Sequence, residues 1–193
     1  VIIQAGDRLV LREFSEEDWE GLHAYSADER LCLFLNWGPN TEEDSRRFVQ
    51  MAVDQQKEDP RTHFELVIAN KESGEIVGNC CIRITNPHHR EGELHVIVRR
   101  ADWGKGYGSE GIAAMLDFGF RELYLHRIYS MVDPEDVATA RVLEKNGLKR
   151  EGHFREHKWI KEDWRDTLYY AVLDYEWEKL REYKKKKTAA TES

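Results

Sequence analysis

Four glycines fall within the nine residues WGKGYGSEG, positions 103–111. They stand between an apolar stretch, Leu94–Val98, and an amphipathic one in which Ile112, Met115, Leu116 and Phe120 share a helical face. A chain that passes from strand to helix through such a turn uncovers backbone N–H groups at a helix N-terminus, where the helix dipole favours an anion. The spacing predicts a phosphate-bearing ligand at residues 104–109. It also fixes a unit of strand 92–98 and helix 104–122, around which the rest of the chain must be arranged.

The flanking segments supply the other elements. Residues 7–14, DRLVLREF, alternate as a strand does. Ser15 with Asp18, and Thr41 with Asp44, mark the starts of two helices, 15–28 and 41–59. HFELVIAN (63–70) and EIVGNCCIRIT (75–85) flank KESG and predict a hairpin. HRIYSMV (126–132) is a strand, and 135–147 a short helix closed by Gly147. Residues 148–160 and 165–177 pair around KEDW as a second hairpin. The expected order is β-α-α-β-β-β-α-β-α-β-β in one domain over 1–193, with its core at about 7–180 and a solvated, frayed tail at 184–193.

That order weighs the competing meanings of the glycines. Gly106, Gly108 and Gly111 match G-x-G-x-x-G, and Asp133 lies 22 residues after Gly111, as a dinucleotide fold would want. A doubly wound sheet needs repeated crossovers, however, and one is visible. A Walker loop fails because Gly106 stands where Ser or Thr belongs after Lys105.

Composition narrows the setting. With 40% hydrophobic and 34% charged residues, the 193-residue chain is of the soluble globular kind. A net charge of −8 argues against nucleic acid, and no apolar run reaches membrane-spanning length. Cys32, Cys80 and Cys81 form no C-x-x-C and are expected as reduced thiols in the cytoplasm. The opening residues lack the pattern of a secretory signal. His88 and His89 have no third ligand at useful spacing, so no metal is expected.

Several stretches together resemble the GNAT N-acetyltransferases. ELHVIVRRADWGKGYGSEGIAAMLDFGF (93–120) is similar to that family's first motif, and DPEDVATARVLEKNGLKREG (133–152) to the segment that follows it. RLVLREFSEEDW near the start and DTLYYAVLDYEW near the end resemble the branch that acetylates ribosomal-protein N-termini. The resemblance spans roughly residues 7–180. It implies an α+β (mixed α/β) fold with a mostly antiparallel sheet of about seven strands, splayed between strands 4 and 5 and flanked by about four helices. It also implies acetyl-CoA as co-substrate and an amine as acceptor: the α-amine of a ribosomal protein, or alternatively a small amine such as a polyamine, amino acid or antibiotic. An acyl-CoA-binding protein without turnover is a further alternative.

The same resemblance distributes roles. The pyrophosphate would lie on the N–H groups of 104–109, with Trp103, Gly104, Lys105, Gly106, Tyr107, Gly108 and Ser109 forming the turn and Arg99, Arg100 and Lys105 adding positive charge. Ile97, Val98 and Arg99 would offer backbone groups to the pantetheine arm. Asp136 and Thr139 stand where the family prefers Asn and Ser; Thr139 keeps a hydroxyl for the leaving thiolate, whereas Asp136 equally suits a helix cap. Glu93 opens the strand, about 20 Å from Arg99 at ~3.3 Å per residue, and is the expected general base. His95 and Glu156 are the other candidates. Trp19, Tyr25, Phe34 and Trp37 lie in the segment expected to cover the acceptor. The hairpins and aromatic residues are compatible with a homodimer.

Overall fold

Strand alternation sorts the side chains of this protein onto two faces of one sheet. In β3 (His63–Asn70), Phe64, Leu66 and Ile68 point one way and Glu65 and Val67 the other. The computed structural model describes the backbone of residues 1–191 and side chains through Lys187. Eight strands lie in the order β1-β2-β3-β4-β5-β6-β8-β7. The others are β1 (Ile2–Ala5), β2 (Leu9–Glu13), β4 (Ile76–Asn86), β5 (Glu91–Val98), β6 (Arg127–Val132), β7 (Lys149–Ile160) and β8 (Asp163–Leu173). All neighbours are antiparallel except β5 and β6. That single parallel pair removes the doubly wound reading.

One face carries α1 (Trp19–Ser26) and α2 (Glu42–Gln55), which bury Leu22, Tyr25, Val49 and Ala52 against Val67 and Ala69. The other carries α3 (Tyr107–Arg121), whose Ile112, Met115 and Leu116 pack on Leu66, Ile68, Ile82 and Leu94. Each such fully buried aliphatic contributes roughly 1.5–3 kcal/mol. Leu143 of α4 (Val137–Lys145) and Trp177 of α5 (Asp174–Thr191) join this second core. Thr41 caps α2 reciprocally with Asp44, and the backbone of Gly147 and Leu148 closes α4 on Glu144 and Leu143.

Three expectations change. An eighth strand, β1, pairs with β2 on the sheet edge; four residues are too few to show a period. The expected strand to residue 177 stops at Leu173, and a fifth helix, α5, begins at Asp174. Trp177 turns inward, its indole donating to Asp117 Oδ1 at 3.0 Å, and Leu180 packs one turn later. The tail expected to fray from Lys184 continues this helix to Thr191, since lysine favours helix once nucleated; Glu192 and Ser193 lie outside the described residues.

The splay expected between strands 4 and 5 falls between β5 and β6 once β1 is counted. They pair only at Glu91–Arg127, Gly92–Ile128 and Glu93–Tyr129, although β5 runs on to Val98 and β6 to Val132. A wedge opens in the sheet just past Glu93.

Candidate active site

The glycine turn is shaped by backbone. Gly104 and Gly106 have φ of +77° and +86°, the left-handed region that side chains disfavour. A Cβ on Gly104 would meet nothing within 4 Å, so its surface is open. Gly106 is the N-cap of α3, and Glu110 N makes the first intrahelical bond to Gly106 O at 3.1 Å. The N–H groups of Gly106, Tyr107, Gly108 and Ser109 therefore lack helical acceptors. This cradle fits a phosphate.

The neighbouring cations contribute less than their number suggested. Arg99 and Lys105 both bind the buried Asp102 (Lys105 Nζ–Oδ1 2.7 Å), Arg99 also binds Glu75 at 2.6 Å, and Arg100 binds Asp28 at 2.7 Å. The positive balance expected there is neutralised in place. Arg8, 97 residues from the turn in sequence and overlooked by local reading, donates to Lys105 O at 2.9 Å, lies over the Tyr107 ring and pairs with Glu110. The Ser109 hydroxyl meets the Asn146 amide at 3.0 Å, joining α3 to α4.

The splayed edge follows from alternation. Arg99 N donates to Val77 O at 2.8 Å, so Arg99 and Ile97 turn their backbone groups to β4. Val96 and Val98 face the wedge instead. Of the three residues expected to offer backbone there, only Val98 does so. Its carbonyl already accepts the exposed Trp103 indole at 2.7 Å.

Beyond the wedge lies a cleft of ≈ 950 Å³ beneath the α1–α2 layer, with Val96, Met131, Asp133, Asp136 and Thr139 at its wedge side. Its floor is a polar lattice set by register. His63, Arg83, Glu93 and Tyr129 lie in one cross-strand row, and Glu65, Cys81 and His95 in the next. Phe34, Trp37, Phe48 and Met51 line the cleft as well.

Glu93 is buried, hydrogen-bonded to Arg83, and 3.2 Å from His95 Nε2 through Oε1. Burial alone would raise its pKa, but the hydrogen bonds and charges of His95 and Arg83 reverse this and hold it at about 2. Half-exposed His95 and the buried carboxylate both line the cleft. Glu65 accepts from Asn79 Nδ2 at 2.7 Å, and Asn79 accepts from the buried Tyr25 hydroxyl at 2.7 Å. Local reading missed Glu65, Asn79 and Arg83, although polar residues at alternate positions of HFELV and NCCIR pointed to one polar face. Glu156 is exposed at a bulge of β7, its N–H bound to Asp166, and does not line the cleft. Asp136 caps α4 by accepting Thr139 N at 3.0 Å. Asp133, the expected ribose ligand of the dinucleotide reading, is bound bidentately by Arg165 at 2.8 and 2.9 Å. His88 and His89 sit in the β4–β5 turn, and the described residues hold no cluster suited to a metal.

A mostly antiparallel sheet, wedged open between a glycine turn and a polar cleft, is the arrangement of acetyl-transferring enzymes. Residues 8–149 match the family model "Acetyltransferase (GNAT) domain", and the chain belongs to that family and is an acyltransferase. It is 32% identical over 170 residues to the uncharacterised N-acetyltransferase YnaD of Bacillus subtilis (strain 168), covering 88% of this chain and 96% of YnaD. A GNAT-family acetyltransferase crystal structure from Bacillus anthracis matches with a TM-score of 0.80 and 31% identity, over 91% of this chain and 99% of that one. RimL, a ribosomal L7/L12 α-N-protein acetyltransferase in complex with coenzyme A, shares the fold with a TM-score of 0.80 and 19% identity, over 90% of this chain and 98% of RimL.

Proposed function

We propose that this protein transfers an acetyl group from acetyl-CoA to a primary amine by direct attack, in the cytoplasm, with a protein α-amine such as that of a ribosomal protein as acceptor. The observation that carries this reading is the wedge past Glu93, which joins an open phosphate cradle to a polar cleft. Acetyl-CoA supplies an acyl group activated as a thioester. The N–H groups at 106–109 hold its pyrophosphate, and the backbone of Val96 with the N–H of Val98 orients its arm. Three buried free thiols agree with a reducing compartment.

An amine attacks only when neutral, so a group in the cleft must take its proton. Glu93 is buried and its carboxylate is already engaged by Arg83 and His95, whereas the His95 ring is half-exposed at the cleft. On this reading His95 takes the proton, while Glu93, 3.2 Å from Nε2, orients the ring and stabilises the imidazolium. The nitrogen–carbon bond forms, the carbon–sulfur bond breaks, and the Thr139 hydroxyl faces the departing thiolate. The test is a turnover assay with acetyl-CoA, peptides with free N-termini and small amines, reading CoA release and product mass. Acetylated amine supports the proposal; CoA binding without transfer to any amine leaves an acyl-CoA-binding protein.

A further inference from the structure

We infer that Glu65 receives the acceptor's ammonium and that the cleft selects amines bearing one positive charge, excluding polyamines. This rests on the acetyl-transfer reading and goes beyond it by assigning a specificity residue and a substrate class.

Charge pairing among the carboxylates of the cleft is uneven. Glu93 has Arg83, Asp133 has Arg165 and Asp44 has Arg47 at 3.5 Å, while Asp136, at the wedge side, is taken up by the N-terminus of α4. Glu65 has neutral hydrogen-bond donors, and among the described residues no cation pairs with it. Its neighbours hold it in place: Asn79 bonds one oxygen and is itself fixed by Tyr25. Burial raises the Glu65 pKa, with only partial opposition from Asn79, Cys81 and His95, so the ionised form is costly without a guest. An arriving ammonium removes that cost.

Register fixes where the guest would sit. Glu65 faces Cys81, which faces His95, in one row across three strands. An ammonium on Glu65 therefore lies in the same cross-strand row as the imidazole that takes its proton, with Cys81 of β4 between them. One feature of the cleft opposes a second positive charge. Lys158 lines it without a carboxylate partner among the described residues, and Phe34, Trp37 and Phe48 offer apolar walls. The fitting acceptor is a primary ammonium on an uncharged or aromatic stem, as in an arylalkylamine or a peptide N-terminus.

The experiment compares phenethylamine, an N-terminal alanine tetrapeptide amide and spermidine with wild type, Glu65→Gln and Glu65→Asp. Wild type should use phenethylamine or the peptide at least about tenfold better in kcat/KM than spermidine, and the better of the two names the source. Glu65→Gln should raise that amine's KM by about 10–100-fold, the worth of a charge-assisted contact, with kcat and acetyl-CoA KM nearly unchanged. Glu65→Asp should recover part of the loss. Because the ionised group is costly in the free protein, the Tm of Glu65→Gln should be unchanged or higher. An unchanged amine KM, or a loss of Tm that accounts for the defect, would overturn the assignment. Should Glu65→Gln not fold, preference of wild type for spermidine still overturns it. Absence of acetyl transfer to all three, together with no acetyl-CoA binding, would instead defeat the underlying reading.

Discussion

The glycine turn and the acceptor cleft solve binding in opposite ways. At the turn, consecutive residues do the work through backbone N–H groups. Nearby cations are neutralised by Asp102, within three residues of Arg99 and Lys105, and by Glu75 and Asp28. In the cleft the backbone is spent on the sheet ladder, and the chemistry rests on side chains from β3, β4 and β5 that share one face only because of register. A site made of neighbouring backbone tolerates varied side chains but not an added Cβ at positive φ. A site made by register tolerates backbone change poorly and depends on single atoms. Substitutions in the two regions should therefore leave different kinetic signatures.

The largest effect belongs to the cleft. His95→Gln should lower kcat by about 10²–10³ and remove the acidic limb of the pH–rate profile, with acetyl-CoA KM unchanged. Glu93→Gln keeps the imidazole but loses its orienting carboxylate, so its kcat should fall less, by about 10-fold to 10². A larger loss for Glu93→Gln in a folded protein would make Glu93 the direct proton acceptor.

Gly106→Val tests the turn. A β-branched residue at φ +86° is strained by about 1–2 kcal/mol and shifts the N–H groups. Acetyl-CoA KM should rise at least about tenfold while kcat at saturation and amine KM hold. Equal loss in all three parameters would merge the two regions into one site.

Thr139→Ala sits between them. Its kcat should fall by about three- to tenfold, less than the loss of an oxyanion donor, because sulfur is a soft acceptor and thiolate a good leaving group. An equal loss in CoA affinity would make it a contact rather than a donor.

The smallest effect is on stability. Glu93, Asp102, Asp18 and Glu13 are all lowered: burial pushes each pKa up, and basic partners push it further down. Groups lowered on folding stabilise above the ordinary carboxylate range and lose that contribution as pH falls through the lowered value. Tm should hold from pH 7 to about 5 and decline towards about 2, the level of Glu93. Glu65 acts with the opposite sign: its raised value costs stability as pH rises towards neutrality, a cost that Glu65→Gln removes.

The contrast also explains what could be read from the chain. The turn, the helix caps at Thr41 and Gly147, and the apolar face of α3 involve residues within a few positions of each other, so their patterns survive in one dimension. Glu93 and His95 were legible because they lie two apart on one strand. Glu65, Asn79 and Arg83 become a site only when β3, β4 and β5 are laid in register, and Arg8 reaches the glycine turn from the connection between β1 and β2. The short β1 and the helix from Asp174 were obscured for another reason. Four edge residues carry no period, and the aromatic run before Asp174 favours strand until Trp177 finds its pocket.

The most direct test of this division is calorimetric titration of acetyl-CoA into wild type, Gly106→Val and His95→Gln. Wild type and His95→Gln should bind with equal affinity, and Gly106→Val at least about tenfold more weakly. Undiminished binding to a folded Gly106→Val, or loss of binding in His95→Gln, would contradict this division.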